Sequence, residues 1–114
     1  MLLCSVLTAH WRVATRHVTL VAVIRSFRHK GLKEVFRTGC SAKVPSELVD
    51  RIRRRLDVLD QAVELAEINL PGCDLHALSG HRPRRYAISV NGPWRITFAW
   101  DRGDAVAVDL EQYH

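Results

Sequence analysis

Tyr86-Ala87-Ile88-Ser89-Val90, Trp94-Arg95-Ile96-Thr97-Phe98-Ala99-Trp100 and Ala105-Val106-Ala107-Val108-Asp109-Leu110 decide the fold. Each stretch alternates large apolar residues with small or polar ones. Tyr86, Ile88 and Val90 share one face, as do Trp94, Ile96, Phe98 and Trp100, and Val106, Val108 and Leu110. Period-two alternation predicts half-buried antiparallel strands. Asn91-Gly92-Pro93 and Asp101-Arg102-Gly103-Asp104 carry the turns between them. Arg95 falls mid-strand on the face opposite the tryptophans, beside Thr97, which places a cation on an open sheet surface.

Upstream, the pattern changes period. Leu48, Val49, Ile52, Leu56, Leu59 and Val63 recur at three- and four-residue spacing, predicting a helix from about Ser46 to Ala62. Pro45 and Glu47 suit its first turn. Its polar face carries Asp50, Arg53, Arg54, Asp57 and Asp60. A shorter helix is expected over Gly31–Arg37, stopped by Gly39, after a short strand at Ile24–His29. Cys73–Leu78 reads as a further strand and Ser79–Arg84 as a basic turn. Helices grouped before strands predict an α+β layer fold, with the helices covering the tryptophan face of a small, mainly antiparallel sheet.

A chain of 114 residues forms one domain. The formal net charge of +5 favours an acidic partner such as nucleic acid. Basic residues cluster at Arg51, Arg53, Arg54 and Arg55, and at Arg82, Arg84 and Arg85. Cys4, Cys40 and Cys73 are odd in number and include no CxxC pair, so neither a disulfide framework nor a zinc site is expected, and a reducing cytoplasm fits. The apolar runs Leu2–Leu7 and Val18–Ile24 are too short to span a bilayer, and no membrane association is expected.

Several stretches resemble one family. Ile24-Arg25-Ser26-Phe27-Arg28-His29-Lys30-Gly31-Leu32, Leu75-His76-x-Leu78-x-Gly80, Tyr86-x-Ile88-Ser89-Val90, Trp94-Arg95-Ile96-Thr97-Phe98, Gly103-Asp104-Ala105 and the final Tyr113-His114 resemble the HigB-type plasmid-maintenance toxins of the RelE/ParE superfamily. The likeness runs from Val23 to His114. It implies a RelE-like fold and a ribosome-dependent endoribonuclease that cuts mRNA in the A site. It also implies a HigA-like helix-turn-helix antitoxin as partner, with operator DNA reached only through that antitoxin. Family members begin with a motif that here falls at Val23, so residues 1–22 are expected to be an over-extended reading frame or a peripheral segment, and residues 23–114 the toxin domain.

Metal-independent RNA cleavage needs a base for the 2′-OH, cations for the phosphorane and an acid for the 5′-oxygen, and no cofactor. Histidine suits proton transfer because its ordinary pKa of about 6.5 lies near neutrality. The arginine fork suits phosphoryl oxygens. By motif match, the resemblance implies His76 and His114 as the proton-transfer pair, Arg95 as phosphorane stabiliser and Tyr113 as a stacking or orienting group. The expected products are a 2′,3′-cyclic phosphate and a free 5′-hydroxyl. Arg82, Arg84 and Arg85 are expected to contact RNA phosphates, and the arginines at 51–55 to face ribosome or antitoxin. Two residues depart from the family pattern: Ser79 stands where lysine is common, and Gln112 where aspartate is. These departures leave open a ParE-like toxin that binds a protein such as gyrase, or a decayed toxin kept in an autoregulatory complex.

Overall fold

In the computed structural model, which describes residues 24–80 and 84–113, helix α1 spans Lys30–Thr38 and helix α2 spans Val49–Gln61. A 3-10 turn at Ser46–Leu48 leads into α2, and another at Leu65–Ile68 leaves it. Four strands follow: β1 His76–Leu78, β2 Arg85–Asn91, β3 Trp94–Asp101 and β4 Asp104–Gln112. They form one antiparallel sheet in the order β1-β2-β3-β4. The expected α+β arrangement is therefore present.

Helix α1 begins where His29, in extended backbone, turns Nδ1 to accept the Leu32 amide at 3.2 Å. It ends at Gly39, whose φ of 91° is open to glycine and whose amide returns to the Val35 carbonyl. Gly31 is required for a different reason. A Cβ there would lie 2.8 Å from His29 Cε1 and 2.9 Å from Val44 Cγ2. Replacing His29 by Ala removes an N-cap acceptor, and urea denaturation is expected to show a loss of about 1 kcal/mol.

Leu32 and Val35 of α1 and Ile52, Leu56 and Leu59 of α2 are fully buried against Ile88, Ile96, Phe98 and Val108 of the sheet. This single core leaves the other sheet face to polar chemistry. Beyond the reach of β1, the Ser89 carbonyl of β2 accepts Arg55 Nε at 3.0 Å, and the Val90 carbonyl accepts Arg51 Nη1 at 3.1 Å. These two arginines bolt α2 to the sheet.

The structure corrects several local readings. Val106 does not share a face with Val108 and Leu110. Thr97 pairs with Asp109 but Ala99 with Val106, so β4 carries a bulge, with Ala107 at φ 51°. Val106 is thereby turned to the Ala99 side while Val108 stays in the core. Ile24–His29 is likewise no regular strand. It touches β4 only through isolated parallel bridges, Ile24 to Ala105 and Phe27 to Val108. Its Ser26 satisfies the bulge, Oγ accepting the Ala107 amide at 2.8 Å and the carbonyl accepting the Val108 amide at 3.1 Å. Asp60 is not on the polar face of α2 but buried, and its Oδ1 accepts the Ile24 amide at 3.2 Å. Strand β1 starts only at His76, because Cys73 lies in a turn, its buried side chain in the core and its carbonyl on the Ser89 amide.

Candidate active site

The antiparallel register assembles the polar face. Arg95 of β3 stands opposite Ser89 of β2 and Glu111 of β4. In the next row Thr97 stands opposite Ala87 and Asp109, and Ala87 opposite His76 of β1. Residues directly opposed across such a sheet point to the same side, with strands about 4.8 Å apart. His76 is thus two strands, about 10 Å, from the backbone of the Thr97 row. Between them lie the small Ala87 and the guanidinium of Arg85, which reaches Thr97, so the site is a trough between His76 and the β3–β4 ridge.

The end of the chain forms one wall. The Tyr113 amide donates to the Pro93 carbonyl at 2.7 Å, which fastens the last described residue to the β2–β3 turn. Arg95 Nη1 donates to the carbonyls of Gly92, at 2.7 Å, and Trp94, at 3.0 Å, on the same turn. Its guanidinium carbon lies 5.8 Å from the centre of the Tyr113 ring. Arg95 Nε is buried and has no hydrogen-bond partner among the described residues. A buried donor left unmatched costs roughly 1–3 kcal/mol, which an arriving acceptor would recover. Burial, and then the Glu111 charge, hold the Tyr113 phenol above its usual pKa, with Arg95 and Arg85 opposing. Tyr113 therefore carries its proton at neutral pH and is a hydrogen-bond donor.

His76 forms the opposite wall and is exposed. Its Nδ1 is 2.9 Å from the Asp74 carbonyl. A carbonyl only accepts, so Nδ1 bears the hydrogen, and the neutral ring keeps its lone pair on Nε2. Asp74, at φ 49°, brings its carbonyl within this reach of the ring.

The floor is a buried chain of hydrogen bonds. Arg85 Nη2 donates to Thr97 Oγ1 at 3.0 Å and to the Ala107 carbonyl of the bulge at 2.9 Å. Thr97 Oγ1 in turn donates to Glu111 Oε2 at 2.5 Å. Arg85 and Thr97 are buried, so the middle of this face is filled rather than open. Burial, and then the charge of Arg28, lower the Arg85 guanidinium pKa, although an arginine remains charged.

Residues 25–114 match the family described as the RelE-like toxin of the type II toxin–antitoxin system HigB. The chain is also 45% identical over 92 residues to the endoribonuclease HigB of Proteus vulgaris, a match covering 81% of this chain and all of that protein. The chain belongs to the HigB-like toxin family. Type II membership implies an antitoxin partner.

Within this toxin the structure brings Arg95 and Tyr113 together and sets His76 across the trough from them. His114, Arg82 and residues 1–23 lie outside the described residues. Arg84 is exposed, whereas Arg85 is no free arm but part of the floor. Arg53 and Arg54 pair with Asp50, at 2.6 and 3.4 Å, and Arg51 and Arg55 reach the carbonyls of β2. Sequence reasoning passed over Thr97 and Glu111. Period-two spacing from Tyr113 back to Glu111 and Asp109 was the available signal. Among the described residues no helix is long and apolar enough to cross a membrane, and no group of three or more His, Cys, Asp or Glu is placed to hold a metal ion.

Proposed function

We propose that this toxin is a ribosome-dependent endoribonuclease that cuts mRNA in the A site and is held inactive by a HigA-like helix-turn-helix antitoxin. Endoribonuclease activity follows from its family and its HigB relative. The observation that carries the finer reading is Arg95. With Nη1 committed to the turn and the guanidinium carbon near the Tyr113 ring, its remaining edge, Nε and Nη2, is the fork that matches two phosphoryl oxygens.

In this reading His76 Nε2 takes the proton from the 2′-OH. The 2′-oxygen attacks phosphorus, Arg95 balances charge on the equatorial oxygens, and the 5′-oxygen leaves with a proton from His114. The bond to the 5′-oxygen breaks as the 2′-oxygen bond forms, leaving a 2′,3′-cyclic phosphate and a 5′-hydroxyl. Tyr113 offers its ring to a base and its phenol to a phosphate or ribose oxygen. Arg82 and Arg84 contact neighbouring phosphates, Arg53 and Arg54 face ribosome or antitoxin, and operator DNA is reached through the antitoxin. A ribosomal target places the toxin in the cytoplasm.

The test is to induce residues 23–114, with an added initiator Met, and map new RNA 5′ ends. Cuts at a fixed phase within codons are expected, with 5′-hydroxyl ends. Cuts without codon phase would overturn ribosome dependence, and growth arrest without cuts would move the target from RNA to a protein.

A further inference from the structure

The bonded chain Arg85–Thr97–Glu111 runs across three strands directly beneath the trough, yet none of its members has a role in the chemistry above. Its order is set by donors and acceptors. The guanidinium can only donate, so the Thr97 oxygen accepts from Arg85 and its single hydrogen goes to Glu111 Oε2. Thr97 is 0% exposed, so water does not compete for this bond. Glu111 is thereby fixed at one oxygen. Oε1 has no partner among the described residues, and the strand places Glu111 on the same face as Tyr113 and in register with Arg95. Gln112, the neighbour that lacks the usual carboxylate, is exposed and registers instead with Trp94.

We propose that Glu111 is a positioning residue of the site, tethered by Thr97 and Arg85 so that its carboxylate stands beside Arg95 and Tyr113 and supplies the negative charge that position 112 does not. This rests on the RNA-cleavage reading above. Its work is on Tyr113. After burial, the Glu111 anion is the influence that raises the phenol's pKa, and two cations, Arg95 and Arg85, act in the opposite sense, so the charge at position 111 sets where on the alkaline side Tyr113 stops being a donor. Arg28 and Asp109 face Arg85, the first lowering and the second raising its pKa.

The chain contains just two tyrosines, Tyr86 and Tyr113, so their ionisation can be followed by ultraviolet difference titration. Tyr113→Phe assigns the two steps. In Glu111→Gln the Tyr113 step is expected at lower pH and the Tyr86 step unchanged. Ribosome-dependent cleavage is expected to fall about tenfold, with its alkaline limb displaced the same way. Thr97→Val, which keeps the carboxylate but cuts the tether, is expected to give a smaller displacement of the same sign. A Tyr113 titration unmoved by Glu111→Gln would overturn the proposal. So would a moved titration with cleavage and its pH profile intact. Absence of cleavage by the unsubstituted toxin would instead overturn the catalytic reading on which the proposal depends.

Discussion

Arg95→Ala is expected to lower the cleavage rate on translating ribosomes by about 10²–10³-fold, the loss usual for one preorganised donor to developing charge. Toxicity on induction should disappear with it. The size follows from how little else at the site is cationic and fixed. Arg85 is spent on Thr97 and Ala107, and Arg51 and Arg55 on β2, so among these described arginines Arg95 alone keeps a donor edge for the trough. Arg95→Lys separates charge from shape. A lysine retains the charge but presents no planar fork and stacks poorly on Tyr113, so it is expected to recover only a small part of the rate. Folding should hardly change in either variant, because the bonds lost are those to the Gly92 and Trp94 carbonyls at an exposed turn. Thermal unfolding run alongside the kinetics distinguishes the two effects. A normal cleavage rate in Arg95→Ala would remove arginine from the mechanism.

The parts of this molecule legible in its sequence are those where one physical rule acts alone. The β3 alternation is one, since Ile96 and Phe98 meet the helices and Arg95 and Thr97 face away. The apolar stripe of α2 is another. What escaped were the places where two rules compete. In β4 the alternation of Val106, Val108 and Leu110 is unbroken as text, but the bulge at Ala107 inserts one residue and turns Val106 over. The bulge is sustained by Ser26, eighty-one residues away along the chain, and no local pattern records such a partner. Asp60 escaped for the same reason. A carboxylate at a helix end reads as surface, and only the docking of Ile24 gives it a reason to be buried.

The site divides along the same line. Arg95 and Tyr113 sit on or next to regular strands, and the alternation that places Arg95 away from the core also brings it beside Tyr113. The motif resemblance supplied His76 and His114, which no periodicity would single out. Arg85 reads as one more cation in a basic run, yet it is buried because Thr97 and a bulge carbonyl meet its guanidinium. Burial of a charge depends on partners distant in sequence, so its place at the end of a basic turn read as an arm for RNA phosphates.

Phe98→Ala is expected to be the most destabilising single substitution, by about 3–5 kcal/mol. Phe98 is fully buried at the centre of β3, stacked on Tyr86 at 6.0 Å and edge-on to Trp100 at 6.4 Å between centroids. Alanine leaves a cavity that β3 cannot close, since Ile96 and Thr97 on the same strand are themselves fully buried and paired on both sides. For a domain this small, whose whole stability is on the order of 5–15 kcal/mol, the melting temperature should fall by roughly 20 °C. The consequence for function has a distinct signature. Arg95 and Thr97 keep their chemistry, so cleavage by Phe98→Ala should be close to normal well below its melting temperature and vanish above it. A bound antitoxin stabilises only the folded toxin and should restore much of the lost melting temperature by mass action. If Phe98→Ala instead melts like the unsubstituted toxin, the packing of the helices on this sheet face is wrong, and with it the orientation of every residue assigned to the trough.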